Sequence, residues 1–217
     1  MRLIDHTHAS LLDYTCAQLG AFFPSGDAAA LRRRLDRALP RALERLAHCI
    51  GHVRMWPHGE FNYLNSSQYC IYLYYLGNTV WREHQDADAA TRLFLLNKAL
   101  NGIDLFYEIE MPEVFFIGHS VGIVLAKASY GNYLVLYQNA TVGKNHGVAP
   151  VLEEGVILYP NSAIIGRCRI GKNTIVSQGT GVINRDTPGD CIAFAANAGE
   201  LHFTTPRRPL LGDFFRL

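Results

Sequence analysis

The sequence predicts an α+β protein in which an N-terminal α-helical domain precedes a parallel β-helix of hexapeptide repeats. The first observation is an apolar residue at every sixth position between 118 and 183, with one interruption. The members of this series are Val124, Tyr130, Leu136, Val142, Leu152, Leu158, Ile164, Ile170, Val176 and Val182. A period of six fits neither an α-helix nor a half-buried β-strand, and it is typical of β-helical coils. The second observation is a set of leucines near the helical period: Leu31, Leu35, Leu39, Leu43 and Leu46.

Residues 1 to about 105 are expected to form four helices. The first covers Leu11 to Leu19, and Asp27 is expected to cap the second. Pro40 is expected to kink or divide that second helix, because proline lacks a backbone N–H. The third and fourth helices are expected at Gln68 to Arg82 and at Ala89 to Leu100.

In the second half of the chain, each hexapeptide is expected to form one flat side of a coil, and three sides close one turn. The segment 143–150 breaks the register, so we expect it to leave the coil as a loop. Regular coils are expected to end near Asn184. These expectations divide the chain into an α-helical domain (1–107), a β-helix domain (108–203) and a C-terminal tail (204–217).

The composition favours a protein of ordinary charge with a sizeable core. The chain has 217 residues, of which 49% are hydrophobic, and a formal net charge of +1. This charge gives no electrostatic reason to expect nucleic acid or an anionic membrane as a partner. The most apolar run, 69–76, is too short to span a bilayer. Five cysteines without a CxxC pair predict reduced thiols in a cytoplasmic protein.

Two segments of the predicted coil resemble a known family. Gly118 to Val124, GHSVGIV, looks like the D-H-x-T-G-I-V segment of the serine O-acetyltransferases, which belong to the hexapeptide-repeat acyltransferase superfamily. Tyr137 to Gly143, YQNATVG, is similar to that family's Q-S-V-T-L-G. The resemblance covers about 100 residues of the coil, whereas the helical half matches only in type.

The resemblance implies a left-handed β-helix and a homotrimer with active sites between neighbouring subunits. In some members of the family the helical domains pair two trimers into a hexamer. The implied activity is the transfer of an acetyl group from acetyl-CoA to L-serine or a related small amino acid, a step of cysteine biosynthesis. No metal is expected, and the partners are small molecules.

Two histidines are the candidate catalytic residues. An acceptor hydroxyl must lose a proton as it attacks a thioester, and a neutral imidazole is a suitable base near pH 7. His119 matches the family's base. His146 lies in the interrupting loop, where the family carries a second active-site histidine. Backbone N–H groups at the edge of the coil could stabilise the oxyanion.

Gly118 is a departure from the family, which has an aspartate before the base that orients the histidine or holds the amino acid. Another acid is therefore expected to substitute for it, and Glu108, Glu110 and Asp104 are the candidates. Asn139, in the second matched segment, is a further candidate for acceptor binding. The family pattern also points to a set of CoA-binding positions: Ala163, Lys172, Ser177, Gln178, Gly179 and Ala195 to Ala198, with Ala196 chosen among the last four.

Several other functions stay open from the sequence. Because Gly118 stands where the family has an aspartate, the acceptor could differ from serine and could be a nucleotide-linked amino sugar in polysaccharide synthesis. A β-helix can also serve as a non-catalytic assembly scaffold. A zinc-dependent carbonic anhydrase would need a third histidine beside His119 and His146. Finally, Gly118 to Gly122 fits the GxSxG pattern of a hydrolase with Ser120 as nucleophile, but a helix should follow that motif, and a period of six follows instead.

Overall fold

The helices form the first half of the molecule. The computed structural model of the chain describes residues 1–196 and 200–217. Its helices are α1 (His8–Phe22), α2 (Ala28–His52), α3 (Ser66–His84), α4 (Ala87–Asn101) and a short α5 (Leu211–Phe214). Strands β1 (Arg2–Leu3) and β2 (Glu60–Phe61) pair in parallel beside them. The four expected helices are present, each somewhat longer than its apolar periodicity indicated.

Side chains that accept backbone N–H groups fix where these helices begin. Asp27 accepts the N–H of Ala30 at the start of α2, at 2.8 Å, and Asp86 does the same for Ala89 in α4, at 3.1 Å. Helix α2 continues through Pro40, so the expectation that proline could divide it is wrong. Its leucine stripe is buried on both sides of Pro40, and this burial offsets the missing hydrogen bond.

Helix α3 is the centre of the helical domain and connects it to the coil. Every residue from Ser67 to Val80 is buried. Its phenols reach the segment that leads into the coil: Tyr74 donates to the carbonyl of Ile109 at 2.7 Å, and Tyr75 donates to that of Glu113 at 3.2 Å. The helical half and the coil therefore share one continuous core.

The coil strands form three sheets, one for each side of a triangular coil of about five turns. The first side consists of β4 (Phe115–Ile117), β7 (Leu134–Leu136), β10 (Ile157–Leu158), β13 (Ile175–Val176) and β15 (Ile192–Ala195), with β16 (Leu201–Thr204) added antiparallel at its end. The second side consists of β3 (Asp104–Leu105), β5 (Val124–Leu125), β8 (Thr141–Gly143), β11 (Ala163–Ile165) and β14 (Gly181–Ile183). The third side consists of β6 (Ser129–Tyr130), β9 (Val151–Leu152) and β12 (Arg169–Ile170).

Residues of the six-residue series stack in register inside the coil. On the first side Leu136, Leu158 and Val176 are paired neighbours on successive strands, and all three are fully buried. The parallel pairing places equivalent side chains above one another, so the period of six becomes a continuous apolar column.

The first member of the series is placed wrongly by the periodicity. Val124 is 46% exposed, and Leu125 takes the inner position opposite Val142. The corner 118–123 is longer than the later corners between the first and second sides, so the inner residues Ile117 and Leu125 are eight positions apart. Only five positions then separate Leu125 from the next inner residue, Tyr130, and a step of six back from Tyr130 falls on the outward-facing Val124. The coil also begins earlier than the expected domain boundary, because β3 at Asp104–Leu105 already pairs with β5.

The C-terminal tail lies over the first side of the coil and reaches back to α2. Phe214 packs near Phe116, with ring centroids 5.9 Å apart. Phe215 is fully buried and bridges Val53. None of the described helices is both long enough and apolar enough to cross a membrane.

Candidate active site

The corner that carries His119 is fastened to the helical domain on both sides. Ser67, at the start of α3, donates its hydroxyl to the carbonyl of Gly118 at 3.1 Å. At the end of α4, the carbonyl of Gly102 accepts the N–H of Gly122 at 2.9 Å. The His119 side chain itself is exposed. The two helix ends therefore hold the backbone of this corner while leaving the imidazole free to face a ligand.

Ser120 is not placed as a nucleophile. Its side chain is buried, and its hydroxyl donates to the carbonyl of Asn101 at 2.8 Å. The chain continues from it into strand β5 rather than into a helix. The serine of the GxSxG pattern therefore anchors the corner to the end of α4.

Successive corners between the first and second sides stack directly on one another. The N–H of Asn139 donates to Val121 at 2.9 Å, that of Asn161 to Gln138 at 3.1 Å, and that of Gly179 to Pro160 at 3.0 Å. We call this column the His119 edge; its corners are 118–123, 137–140, 159–162 and 177–180.

Most of the sequence-predicted acceptor and CoA positions fall on the His119 edge. Asn139, Ser177, Gln178 and Gly179 lie in its corners, and Ala163 begins the strand that follows one of them. Ala196 follows β15 at the last coil, where the N–H of the preceding residue reaches Thr180. Of the other positions named with Ala196, Asn197 and Ala198 lie outside the described residues.

His146 lies on a different corner column of the same chain. It occupies the loop between the second and third sides, in a two-residue turn closed by reciprocal 3.0 Å hydrogen bonds between Asn145 and Val148. Positive φ values at His146 and Gly147, 47° and 79°, are those of a tight hairpin turn. The turn projects an exposed imidazole, and the width of the second side separates it from His119. We call this second column, with corners 126–128, 144–150, 166–168 and 184–186, the loop edge.

The three candidate acids lie at different distances from His119 along the coil. Glu108 forms an ion pair with Lys127 on the loop edge, and Glu110 pairs with Arg82 at 3.0 Å. Asp104 lies close to the His119 corner, because its N–H donates to the carbonyl of Ile123 at 2.8 Å. Lys98 neutralises the Asp104 carboxylate at 2.7 Å. Within one chain, Glu108 and Glu110 are therefore not beside His119.

Lys172 occupies the remaining column, between the third and first sides. It lies in the corner 171–173, where its carbonyl accepts the N–H of Asp190 at 2.7 Å. The width of the first side separates it from the His119 edge. In the described part of the chain, no three histidine, cysteine or acidic side chains converge in a way that could hold a metal ion.

Tyr137 is the site residue that sequence reasoning missed. Its ring centroid lies 6.4 Å from that of His119, and it stacks on Tyr159 at 5.6 Å with an interplanar angle of 17°. Burial, with a smaller contribution from Tyr159, raises the pKa of the Tyr137 phenol above its usual range. A signal was available: Tyr137 and Tyr159 each directly follow an inner residue of the series, so both must point outward on neighbouring coils.

Comparison with known proteins agrees with this arrangement of helices and coil. No protein-family model matches the chain. It is 29% identical over 120 residues to the serine acetyltransferase of Synechococcus elongatus, a match that covers 51% of this chain and 48% of that relative. The chain thus spans about half the length of this curated relative.

Solved structures extend the similarity in fold to nearly the whole chain. A serine acetyltransferase from Vibrio cholerae superposes with a TM-score of 0.73 and 17% identity, covering 95% of this chain and 83% of that one. A serine acetyltransferase from Brucella abortus gives a TM-score of 0.71 and 16% identity, with 94% and 86% covered. The predicted fold class, helices followed by a left-handed parallel β-helix, is confirmed. So is the resemblance to serine O-acetyltransferases.

Proposed function

We propose that this chain is an acetyl-CoA-dependent O-acetyltransferase that acts on L-serine or a related small amino acid. The observation that carries the proposal is the position of His119. It is an exposed imidazole on a corner held by two helix ends, and it stands at the start of a straight edge where the candidate CoA positions are stacked. The similarity to serine acetyltransferases supports the choice of reaction.

The proposed transfer is direct, with His119 as general base. The acceptor oxygen attacks the thioester carbonyl, and the hydroxyl proton passes to the imidazole as the new C–O bond forms. The tetrahedral intermediate then collapses with cleavage of the C–S bond. The proton on His119 passes to the departing thiolate, which leaves as CoA, and the acceptor leaves as an O-acetyl ester.

His146 belongs in this site only if a neighbouring subunit supplies it. The outer face of the second side, which separates the two histidines, is flat and carries small or apolar side chains: Val124, Thr141, Ala163, Ile165, Gly181 and Ile183. Such a face suits packing against another copy. We therefore propose a homotrimer in which the His119 edge of one subunit meets the loop edge of the next, and a hexamer would add pairing through the helical domains.

The same assembly accommodates the remaining site assignments. We assign Ala163, Ser177, Gln178, Gly179 and Ala196 to acetyl-CoA along the His119 edge, where backbone groups would make most contacts. Lys172 is the exception: it lies on the third column, which belongs to neither edge of this interface, so the assembly does not support its assignment to a CoA phosphate. Glu108 and Glu110, on the loop edge, would approach the acceptor across the same interface. Asn139 would contact the acceptor within the chain.

The proposed reaction also implies a metabolic pathway and a cellular location. Serine acetylation would place the protein in cysteine biosynthesis in the cytoplasm. The division into a helical domain (1–107), a catalytic coil (108–203) and a tail (204–217) is part of the same proposal, with the coil carrying the chemistry and β3 joining its second side from just before the boundary.

A thiol-release assay with acetyl-CoA and a panel of acceptors tests the proposal. We expect CoA to be released with L-serine and turnover to fall about 100-fold or more in His119→Ala. His58→Ala is the matched control, since His58 is likewise exposed but lies in the loop before β2, and it should keep the wild-type rate. An unchanged rate in His119→Ala would remove this residue as the base. Silence with every acceptor would favour a scaffold.

A second candidate is acylation of a different acceptor, such as a nucleotide-linked amino sugar. The observation in its favour is Gly118, which supplies no carboxylate where the similar family has an aspartate. Release of CoA with sugar acceptors and not with L-serine would establish it.

A further inference from the structure

We propose that Tyr137 determines acceptor specificity: it occupies the space of a side chain at position 118 and replaces an ionic contact to the acceptor by a neutral one. Within the proposed acceptor class, L-serine is then accepted, but the preferred acceptor is a related hydroxyl amino acid whose nitrogen is uncharged, such as an N-acyl derivative. This inference rests on the proposed acyl transfer at His119.

Gly118 is required by the position of the Tyr137 ring. A Cβ built on Gly118 would lie 2.6 Å from Cε1 and 2.8 Å from Cδ1 of Tyr137, distances that real Cβ atoms do not show. Gly118 is not among the residues with positive φ, so its backbone does not itself demand glycine. The glycine therefore makes room for the phenol.

The ring that fills this space is held from several directions. It stacks on Tyr159, and its edge contacts involve Phe116 and Phe214, each with a centroid separation of 6.3 Å and interplanar angles of 82° and 71°. Phe214 belongs to the docked tail. Because these rings pack on one another, a larger residue at 118 cannot simply push Tyr137 aside.

Within one chain, the His119 edge offers no carboxylate to an ammonium group. Its four corners contain neither aspartate nor glutamate. The nearest acid by backbone contact, Asp104, already pairs with Lys98. Glu108 and Glu110, which would approach from a neighbouring subunit, are already paired with Lys127 and Arg82. The phenol near His119 stays protonated at neutral pH, since burial raises its pKa, and it can therefore donate or accept a neutral hydrogen bond.

The experiment compares L-serine with N-acetyl-L-serine, which differ in the charge of the nitrogen. For the wild-type chain we expect kcat/KM with N-acetyl-L-serine to equal or exceed that with L-serine. In the double variant G118D/Y137L, the new carboxylate has space and can pair with the ammonium. We expect this pairing to shift the ratio towards L-serine by about tenfold or more.

Two single variants separate this role from a merely structural one. Tyr159→Leu disrupts the same aromatic stack without opening space beside Gly118, so it should lower both kcat/KM values and leave their ratio unchanged. An equal shift of the ratio in Tyr159→Leu would overturn the inference. Tyr137→Phe keeps the ring and removes the hydroxyl that would contact the uncharged nitrogen, so it should lower kcat/KM for N-acetyl-L-serine by about tenfold and change that for L-serine little. An equal loss for both acceptors would overturn the proposed contact.

Thermal unfolding gives a readout that does not depend on activity. Gly118→Ala should lower the unfolding midpoint. Tyr137→Leu should lower the midpoint less in the Gly118→Ala background than in the wild type, because the two side chains compete for one space. Strictly additive effects would overturn the steric part of the inference.

The possible failures are distinguishable. A wild-type chain that releases CoA but prefers L-serine to N-acetyl-L-serine by more than tenfold overturns this inference and leaves the acetyltransferase proposal intact. A wild-type chain that releases no CoA with any acceptor overturns the proposed function, and this inference with it.

Discussion

Tyr74 illustrates how a single buried polar group joins the two halves of the molecule. Its hydroxyl donates to the carbonyl of Ile109 at 2.7 Å and accepts the N–H of Met111 at 3.0 Å. Both partners lie in the segment between β3 and β4. Burial raises the pKa of this phenol to about 12, since the ionised form would lose its hydration.

This shift predicts a loss of stability at high pH. Below pH 10 the phenol is protonated in both states and the free energy of unfolding is unaffected. Between pH 10 and about 12, the unfolded chain releases a proton that the folded chain keeps. Stability therefore falls with a slope of at most about 1.4 kcal/mol per pH unit for each such tyrosine.

Tyr74→Phe tests this expectation. The variant should lose about 1 kcal/mol at pH 7, because the Ile109 and Met111 groups lose their partner. Its decline in stability between pH 10 and 11.5 should be shallower than that of the wild type by about 1 kcal/mol per pH unit. Urea unfolding at several pH values measures both quantities, and identical slopes would contradict the assignment.

Among the elements, the C-terminal tail provides hydrogen bonds that cap the end of α2, although the two are far apart in the sequence. The last carbonyls of α2 have no partners within the helix. The guanidinium of Arg216 donates to the carbonyls of Gly51 and Val53 and, at 2.8 Å, to that of Trp56. Its backbone N–H reaches His52 at 2.8 Å. A cation at this end also complements the helix dipole.

Arg216→Ala should therefore lower the free energy of unfolding by about 2 to 3 kcal/mol, because several partly buried carbonyls lose a charged donor. For a chain of this size that corresponds to a fall of the melting temperature by roughly 4 to 12 °C. Arg216→Lys should recover only part of the loss, since an ammonium lacks the planar fork. Arg207→Ala, at an exposed position of the same tail, is the control. A melting temperature that Arg216→Ala leaves unchanged would show that the docked tail contributes nothing to α2.

At the scale of the whole molecule, the triangular coil keeps His119 and His146 on different columns of corners. A single chain therefore carries both groups but cannot assemble them at one place. If the site forms between subunits, each site takes His119 from one chain and His146 from its neighbour.

Complementation between inactive variants tests this arrangement. His119→Ala and His146→Ala should each be nearly inactive alone. Coexpressed in equal amounts, they should recover about a quarter of the wild-type activity, because one interface in four combines the two intact histidines in a ring assembled at random. Separate expression followed by assay without subunit exchange is the control. If the coexpressed chains stay as inactive as their parents, His146 acts within its own chain or has no catalytic role.

The sequence by itself determined the fold class, because its signals are local. A six-residue period needs only the repeat of apolar and small residues to specify a coil, and caps such as Asp27 fix helix ends through contacts three residues away. The matched GHSVGIV segment likewise identified His119 as a candidate without any knowledge of its surroundings.

Only the tertiary structure decided the register of the first coil and the composition of the site. The long corner 118–123 and the short step from Leu125 to Tyr130 place Leu125 inside the coil in place of Val124, and the six-residue period does not predict this exchange. Gly118 reads as a missing carboxylate in the sequence, and it becomes half of a steric pair only when Tyr137, from the next coil, is packed against it. Contacts of this kind depend on the stacking of coils and on the docked tail, so their physical cause lies in packing between distant segments and not in the local pattern.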